Sequence, residues 1–476
     1  MPLPSGAPGP GPAPNRRGGV TFGWGLGVFL MALAWSRGEL LFSAPIGRSE
    51  EHLAIGQRLY RTGSLAALND PGVLRPPGYP SFVAATLHIR DLFAAVGGSD
   101  PKQAGSDEDA VLWAQCLLLA ATATVIFAFG ATVLPPLEAA CVGLVFAWGP
   151  ISVALLGLHS YHLLHTVGLT VGTAQLALAA RASPQSPRGP LLAGILWGMA
   201  TLVRPVSLIL PPFVFLLARL RRGGAWRSAA AFALLFTLGM AAPILPYTVR
   251  NYRLTGRLVL VNVQGGFALW ATTARRLKPE EEFLDWNELW KKRGLILYRG
   301  VTGQPKYDIA TFSTHVFELE DAFKSQALRN LQRRPSVYLH NVADNLWGFC
   351  RDPVTKWPRI FAGRNQLSRS RNRFFVSAYS LVLLLLALPG IVRGLWRRDA
   401  LASTVFLSFA ALAVAHAFTF LDERYTYVKV PLLAMGFALT LATLEDRSIL
   451  RWRLAAVLAV TMLMGSALVT LYLLGR

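Results

Sequence analysis

Two acids, a set of spaced arginines and a proline-rich turn carry the chemistry that this sequence could perform. Glu50 and Glu51 open a run to Tyr60 with helical spacing, Leu53, Gly56 and Tyr60 falling on one face. Such a run fits an amphipathic helix lying along a membrane surface. A carboxylate there could act as general base toward an acceptor hydroxyl or amine. The same acids also complement the positive end of a helix dipole, so spacing alone leaves both readings open.

Arg75, Arg204, Arg250 and Arg424 lie at the ends of apolar runs or in the loops between them. Lys429 lies about one turn inside such a run, where an unpaired charge is costly. A planar guanidinium suits phosphate oxygens, and fixed cations stabilise the charge that a departing phosphate gains. Taken singly, each of these cations reads better as an interfacial anchor. Arg75 begins the stretch LRPPGYPSF, Leu74 to Phe82. Each proline there fixes φ near about −65° and pushes its predecessor out of the helical region. The turn would hold Arg75 and Tyr79 at a fixed height before any ligand arrives, which lessens the ordering needed on binding.

Three further patterns carry less. Asp107-Glu108-Asp109 matches the DxD of metal-dependent nucleotide-sugar transferases, but it precedes an apolar run, where acids of a helix N-terminus explain it better. His159, His162 and His165 recur every third residue without a carboxylate or cysteine to complete a metal set. A divalent cation is compatible with the sequence and not indicated by it, so no metal ligands are assigned. No Walker A motif is present, which argues against ATP-driven transport by this chain alone.

The elements that must position these residues are membrane helices. Of the 476 residues 53% are hydrophobic and 15% charged, with mean hydropathy +0.41. Many apolar runs approach the roughly 20 residues that cross a bilayer. The expected spans are 20–36, 111–132, 136–156, 163–180, 189–203, 206–219, 228–247, 375–393, 400–420, 427–444 and 453–474. The net charge of +21 reports topology before it reports nucleic acid, because basic clusters alternate between spans. With Arg16/Arg17, 181–188, 219–227, 393–398 and 447–453 in the cytoplasm, about eleven crossings follow. Residues 189–203 and 206–219 are then two spans meeting outside at Arg204–Pro205.

The organisation expected is a disordered tail over 1–19 and an N-terminal membrane module over 20–247 with its first outer loop at 37–110. An extracytoplasmic segment over 248–374 and C-terminal membrane helices over 375–476 follow. The Arg16/Arg17 pair before an apolar run resembles a secretory signal, but without a small-residue cleavage site it reads as a retained span. Cys116, Cys141 and Cys350 make no disulfide framework.

RPPGYP, a short distance after a juxtamembrane helix, resembles the polyprenyl-phosphate-sugar-dependent glycosyltransferases of the GT-C superfamily. The closest branch resembles protein mannosyltransferases and the aminoarabinose–lipid A transferase, glycosyltransferase family 39. AGILWGMATLVRP (Ala193 to Pro205), LPYTVRNYRLTGRLVLVNVQGGFALW (Leu245 to Trp270) and DERYTYVKVPLLAM (Asp422 to Met435) are similar to family segments and in the same order. The resemblance implies an all-α bundle of the GT-C type, with a juxtamembrane helix in the first outer loop and a mixed extracytoplasmic segment. It further implies an inverting transferase in the bacterial cytoplasmic membrane, its site facing outside. The partners implied are a polyprenyl-phosphate-linked sugar, an extracytoplasmic acceptor (lipid, glycan or protein) and the bilayer, with no nucleic acid.

One departure stands out. The family's juxtamembrane helix carries an aspartate four residues before a tyrosine, and here Arg48 and His52 fill those places. Glu51, with Glu50 beside it, is the expected replacement base; different chemistry and a catalytically inactive homologue remain alternatives. Arg75, Arg204, Arg250, Arg424 and Lys429 are the implied phosphate-binding set. His52, Tyr60, Tyr79, His162, Asn251 and Tyr425 are the implied lining of the substrate cavity, with His162 where relatives often carry a glutamate. A lipid or sugar transporter is the competing class, and it would place ionisable groups near the midplane rather than at one aqueous face.

Overall fold

The computed structural model describes residues 17–42, 50–66, 72–98, 106–149, 161–182, 186–221, 226–278, 280–281, 284, 286–351, 366–419 and 427–444. Arg424, Tyr425, His159 and the span expected at 453–474 lie outside these residues, and Glu50 is described as backbone alone.

Local rules set the helix ends. α1 covers Arg17–Phe42, α2 Glu50–Thr62 and α3 Gly78–Val96, the last starting directly behind Pro76 and Pro77. α4 covers Asp107–Gly130, and the Ser106 side chain caps it by accepting the Asp109 backbone N–H at 3.1 Å. Asp107, Glu108 and Asp109 are thus first-turn acids, and the DxD pattern has a helical cause. α5 (Pro136–Trp148) begins with proline, whose missing N–H costs nothing at that position. α6 covers Tyr161–Arg181 and α7 Arg188–Val203.

Arg204 is extended (φ −149°, ψ 121°), as a residue before proline should be, and a 3₁₀ turn over Pro205–Ile209 follows. α8 (Leu210–Arg221) and α9 (Trp226–Thr255) complete the first half. The expected outer segment holds α10 (Gly265–Ala274), α11 (Trp286–Leu289), a π-turn at Trp290–Gly294, α12 (Leu295–Thr302) and α13 (Ile309–Thr314). It ends with α14 (Val316–Arg333) and α15 (Pro335–Arg351). α16 (Gln366–Trp396), α17 (Ala400–Phe418) and α18 (Lys429–Leu441) return to the bundle. No β-strand occurs among the described residues.

Five stretches are long and apolar enough to cross a membrane: α4, α6, α9, residues 379–396 of α16, and α17. α5, α7 and α18 are apolar but shorter. The architecture is the polytopic helical bundle expected. The expected eleven crossings, however, also count these three short helices, α1, α8 and the undescribed 453–474.

Helix directions can be read where glycine lets backbones touch. Gly168 faces Ala200 and Gly172 faces Trp197, so α6 and α7 are antiparallel. A Cβ at Gly194 would sit 2.0 Å from the Phe236 carbonyl oxygen, and one at Gly198 would sit 2.4 Å from that of Met240. α7 and α9 therefore run in the same direction, and the chain between them turns back at Arg204–Pro205. Lipid tails are as apolar as leucine, so close backbone packing of this kind replaces the hydrophobic effect as the force joining membrane helices.

The expected outer segment has a separate core around Trp270, Tyr298, Leu319 and Phe323, and Val73 and Leu74 of the loop between α2 and α3 are buried in it. A third, small cluster of Leu53, Tyr79, Val83, Leu87 and Val111 fixes α2 on α3 and α4. These two clusters bring the proline turn, α2 and the outer segment to one place.

Candidate active site

Glu51 lies in the first turn of α2, and Arg75 lies in the loop before α3. They form a bidentate pair: Arg75 Nε donates to Glu51 Oε1 and Nη2 to Oε2, each at 2.7 Å. Burial pushes the Glu51 carboxyl up, but the hydrogen bonds and charge of Arg75 outweigh it and hold Glu51 below the usual carboxylate range. The same pairing overcomes burial at Arg75 and keeps the guanidinium charged.

The loop that carries Arg75 is pinned residue by residue. Gly72, in the left-handed region at φ 66°, presents its carbonyl to the Tyr247 hydroxyl at 3.0 Å. The Val73 carbonyl accepts the Val263 N–H at 3.0 Å, and the Leu74 carbonyl accepts Asn262 Nδ2 at 3.3 Å. After the prolines, Gly78 lies against the end of α7. A Cβ there would be 2.7 Å from Val203 Cγ2 and 2.8 Å from the Leu202 carbonyl carbon. That contact joins the Arg75 loop to the helix end that carries Arg204.

A floor of rings continues from this pair. His52 is buried edge-on against Tyr161 at 4.8 Å and against Tyr79 at 6.0 Å. Tyr161 stacks beside His162 at 4.3 Å, and His162 meets Tyr427 at 6.4 Å. The guanidinium of buried Arg204 lies 5.7 Å from the Tyr161 ring centre, within cation–π range. Tyr79 is 1% exposed, its hydroxyl without a hydrogen-bond partner, and burial pushes the phenol pKa upward.

These groups line a cavity of ≈ 1190 Å³. Glu51, Arg75, His52, Tyr79, His162 and Arg204 make one end of it. Phe267, Trp290, Tyr307, Phe312, Phe317 and Glu320 of the outer segment make another. Between the 3₁₀ turn and the end of α17 the wall is mostly apolar, with Val206, Leu208, Ile209, Ala415 and Phe418. Glu51 and Glu320 are the two acids among the described lining residues.

Other expected site residues lie elsewhere. Tyr60 is on the same helix as Glu51, but its hydroxyl bonds Asp91 and its ring meets His88 at 4.7 Å, so it joins α2 to α3 and does not line the cavity. Asn251 is a buried strut: its Nδ2 donates to the Val259 carbonyl at 3.1 Å and its Oδ1 accepts from Arg250 at 3.0 Å. Arg250 also lies 5.3 Å over the Tyr247 ring. Both residues thereby act on the cavity wall at 259–263 from behind. Lys429 donates to the carbonyls of Phe349 and Cys350, the latter at 3.1 Å, and so caps the C-terminus of α15.

His165 is buried with Nε2 3.1 Å from Ser207 Oγ, joining α6 to the 3₁₀ turn and away from His162's cavity wall. Among the described residues no cluster of three or more His, Cys, Asp or Glu could hold a metal. Sequence reasoning missed Tyr161, Trp290, Tyr307 and Glu320, since no local pattern marks them.

No family model matches the chain, and no curated protein sequence does either. Solved structures do. The oligosaccharyltransferase AglB of Archaeoglobus fulgidus, in complex with an inhibitory peptide and a dolichol-phosphate, matches 95% of this chain at 14% identity and TM-score 0.51. The same enzyme in complex with zinc and sulfate matches 93% at 14% identity and TM-score 0.53. ArnT of Cupriavidus metallidurans bound to undecaprenyl phosphate matches 89% of this chain and 78% of its own at 16% identity, with TM-score 0.36. The chain spans a little over half the length of the archaeal enzyme, 55% and 53% in the two structures. The fold is the GT-C fold.

Proposed function

We propose that this chain is a membrane glycosyltransferase that moves a sugar from a polyprenyl-phosphate donor to an acceptor outside the bacterial cytoplasmic membrane. The observation that carries this reading is the meeting of Arg75, Arg204 and Glu51 in one cavity with a largely apolar side wall. The archaeal neighbour of the same fold was captured with a dolichol-phosphate, the same chemical class as the donor proposed.

The reaction is a single inverting displacement. The acceptor oxygen attacks the anomeric carbon as its proton passes to the Glu51 carboxylate. The anomeric C–O bond to phosphate breaks, and its electron pair stays on the phosphate oxygen. Arg75 and Arg204 stabilise that added charge. Glu51 becomes free to take the proton when the donor phosphate draws Arg75 toward itself. Glu50, next in the chain, is the reserve base.

Transfer of label from a radiolabelled polyprenyl-phosphate sugar in membranes tests the reading. Wild type should transfer, Arg75→Ala should lose about two orders of magnitude or more, and Glu50→Gln/Glu51→Gln should fall at least as far. Unchanged transfer in the double variant would sink the base assignment. Absence of transfer from every polyprenyl donor tried would overturn the function and favour a transporter or an inactive homologue.

A further inference from the structure

The half of the cavity built by the outer segment differs from its charged floor. Five rings border it, and Tyr307 stands apart from the other four. Trp290 at 5.4 Å, Tyr298 at 5.7 Å and Phe312 at 5.9 Å hold its ring, yet 45% of the residue is exposed. A ring fixed on several sides and open on another is a stacking platform. It projects from the short connection between Gly303, which closes α12, and Asp308, which caps α13. Its phenol keeps its proton at any working pH, so it remains a hydrogen-bond donor.

Oriented polar groups line the same cavity. Glu320 accepts the backbone N–H groups of Gly266 and of Phe267, the latter at 3.3 Å, one on each carboxylate oxygen. A carboxylate has about four acceptor positions, so two remain for a ligand. Gln264 accepts from Asn262 at 3.0 Å through its amide oxygen, which leaves its NH₂ group to donate.

We propose that this half of the cavity is an acceptor subsite and that the acceptor is a carbohydrate, with a sugar ring on Tyr307 and its hydroxyls on Glu320 and Gln264. The inference rests on the glycosyltransferase reading above. A sugar ring has an apolar C–H face and a rim of hydroxyls, which asks for a ring bordered by planar acceptors and donors. A lipid acceptor would use the apolar wall on the other side. Tyr307 and Glu51 line the same cavity, so acceptor and base share one space.

The test uses the full chain in lipid nanodiscs, with α-mannotriose, chitotriose and maltotriose as probes in saturation-transfer NMR. At least one trisaccharide should bind. Tyr307→Ala should weaken it about tenfold, Glu320→Gln about threefold or more, and Tyr307→Phe less than threefold. The thermal shift produced by undecaprenyl phosphate should be unchanged in all three variants, which also shows that they fold. Label reaching protein or lipid while no trisaccharide binds would overturn the subsite and leave the transferase standing. So would loss of the undecaprenyl-phosphate shift in Tyr307→Ala with sugar binding intact. Trisaccharide binding through Tyr307 with neither a lipid-phosphate shift nor transfer would keep the subsite and bring down the transferase.

Discussion

Glu51 cannot be a strong base while both its oxygens are bonded to Arg75, because the pairing that lowers its pKa also lowers its proton affinity. A donor phosphate competes for the same guanidinium. Once Arg75 turns to it, Glu51 keeps its burial and loses its counter-charge, so its pKa must rise. A carboxylate acts as base only when ionised, so activity is lost as pH falls through the pKa that applies. The kcat/KM profile reports the free enzyme and kcat the bound complex. The acid limb of kcat should therefore lie at higher pH than that of kcat/KM. In Arg75→Ala burial is unopposed from the start, so the kcat/KM limb should move up and the gap between the two profiles should close. Coincident limbs in the wild type would refute the exchange. Lys429 makes a contrasting case at this scale. Its ammonium is 1% exposed and holds two α15 carbonyls, so Lys429→Met should destabilise by roughly 1–3 kcal/mol in thermal unfolding. Transfer per folded molecule should fall little. A large loss of transfer at unchanged stability would restore Lys429 as a phosphate ligand.

At the scale of elements, what could be read from sequence is what has a local cause. Prolines and one glycine make the RPPGYP turn, and the turn is where it should be because its geometry is fixed within six residues. The Gly-rich helix ending in Arg-Pro was legible for the same reason: Gly194 and Gly198 exist to admit α9, and Pro205 forces Arg204 out of the helix. Tyr60 shares the α2 register correctly assigned to it, but that register faces α3, which no periodicity in α2 alone could show. Tyr307 and Glu320 depend on the outer-segment core, and α14 reads in sequence as an ordinary amphipathic helix. Gly78 tests the local part. Adding a methyl there meets backbone atoms of Leu202 and Val203 at 2.8 Å, and backbone yields less readily than a side chain. Gly78→Ala should cost about 1–3 kcal/mol and displace the Arg75 loop. Transfer should fall roughly tenfold or more, as misplacement by a fraction of an ångström to one ångström commonly does. Thermal unfolding and transfer measured together decide it, and a variant unaffected in both would mean that the turn does not rest on α7.

On the proposed function the cavity borders both water and lipid. Leu208, 37% exposed, and Phe418, 47% exposed, flank the side between the 3₁₀ turn and α17, at the ends of apolar helices. In that reading these exposed apolar side chains face lipid tails rather than water. A polyprenyl chain moving from bilayer to this wall gains little from the hydrophobic effect, because both surroundings are apolar, and gains mainly packing. A polar group placed on the wall reverses the balance, since it must be left unsatisfied against hydrocarbon. Leu208→Asn and Phe418→Asn should therefore raise KM about three- to tenfold for a long-chain donor. The tail packs on the wall equally in the ground state and the transition state, so kcat should hold. A donor with the same sugar phosphate on a methyl group has no tail to lay on the wall, and its KM should not respond to either substitution. Equal changes for both donors would take the tail off this wall and send it past the opposite side of α2, while leaving the phosphate end at Arg75 and Arg204 untouched.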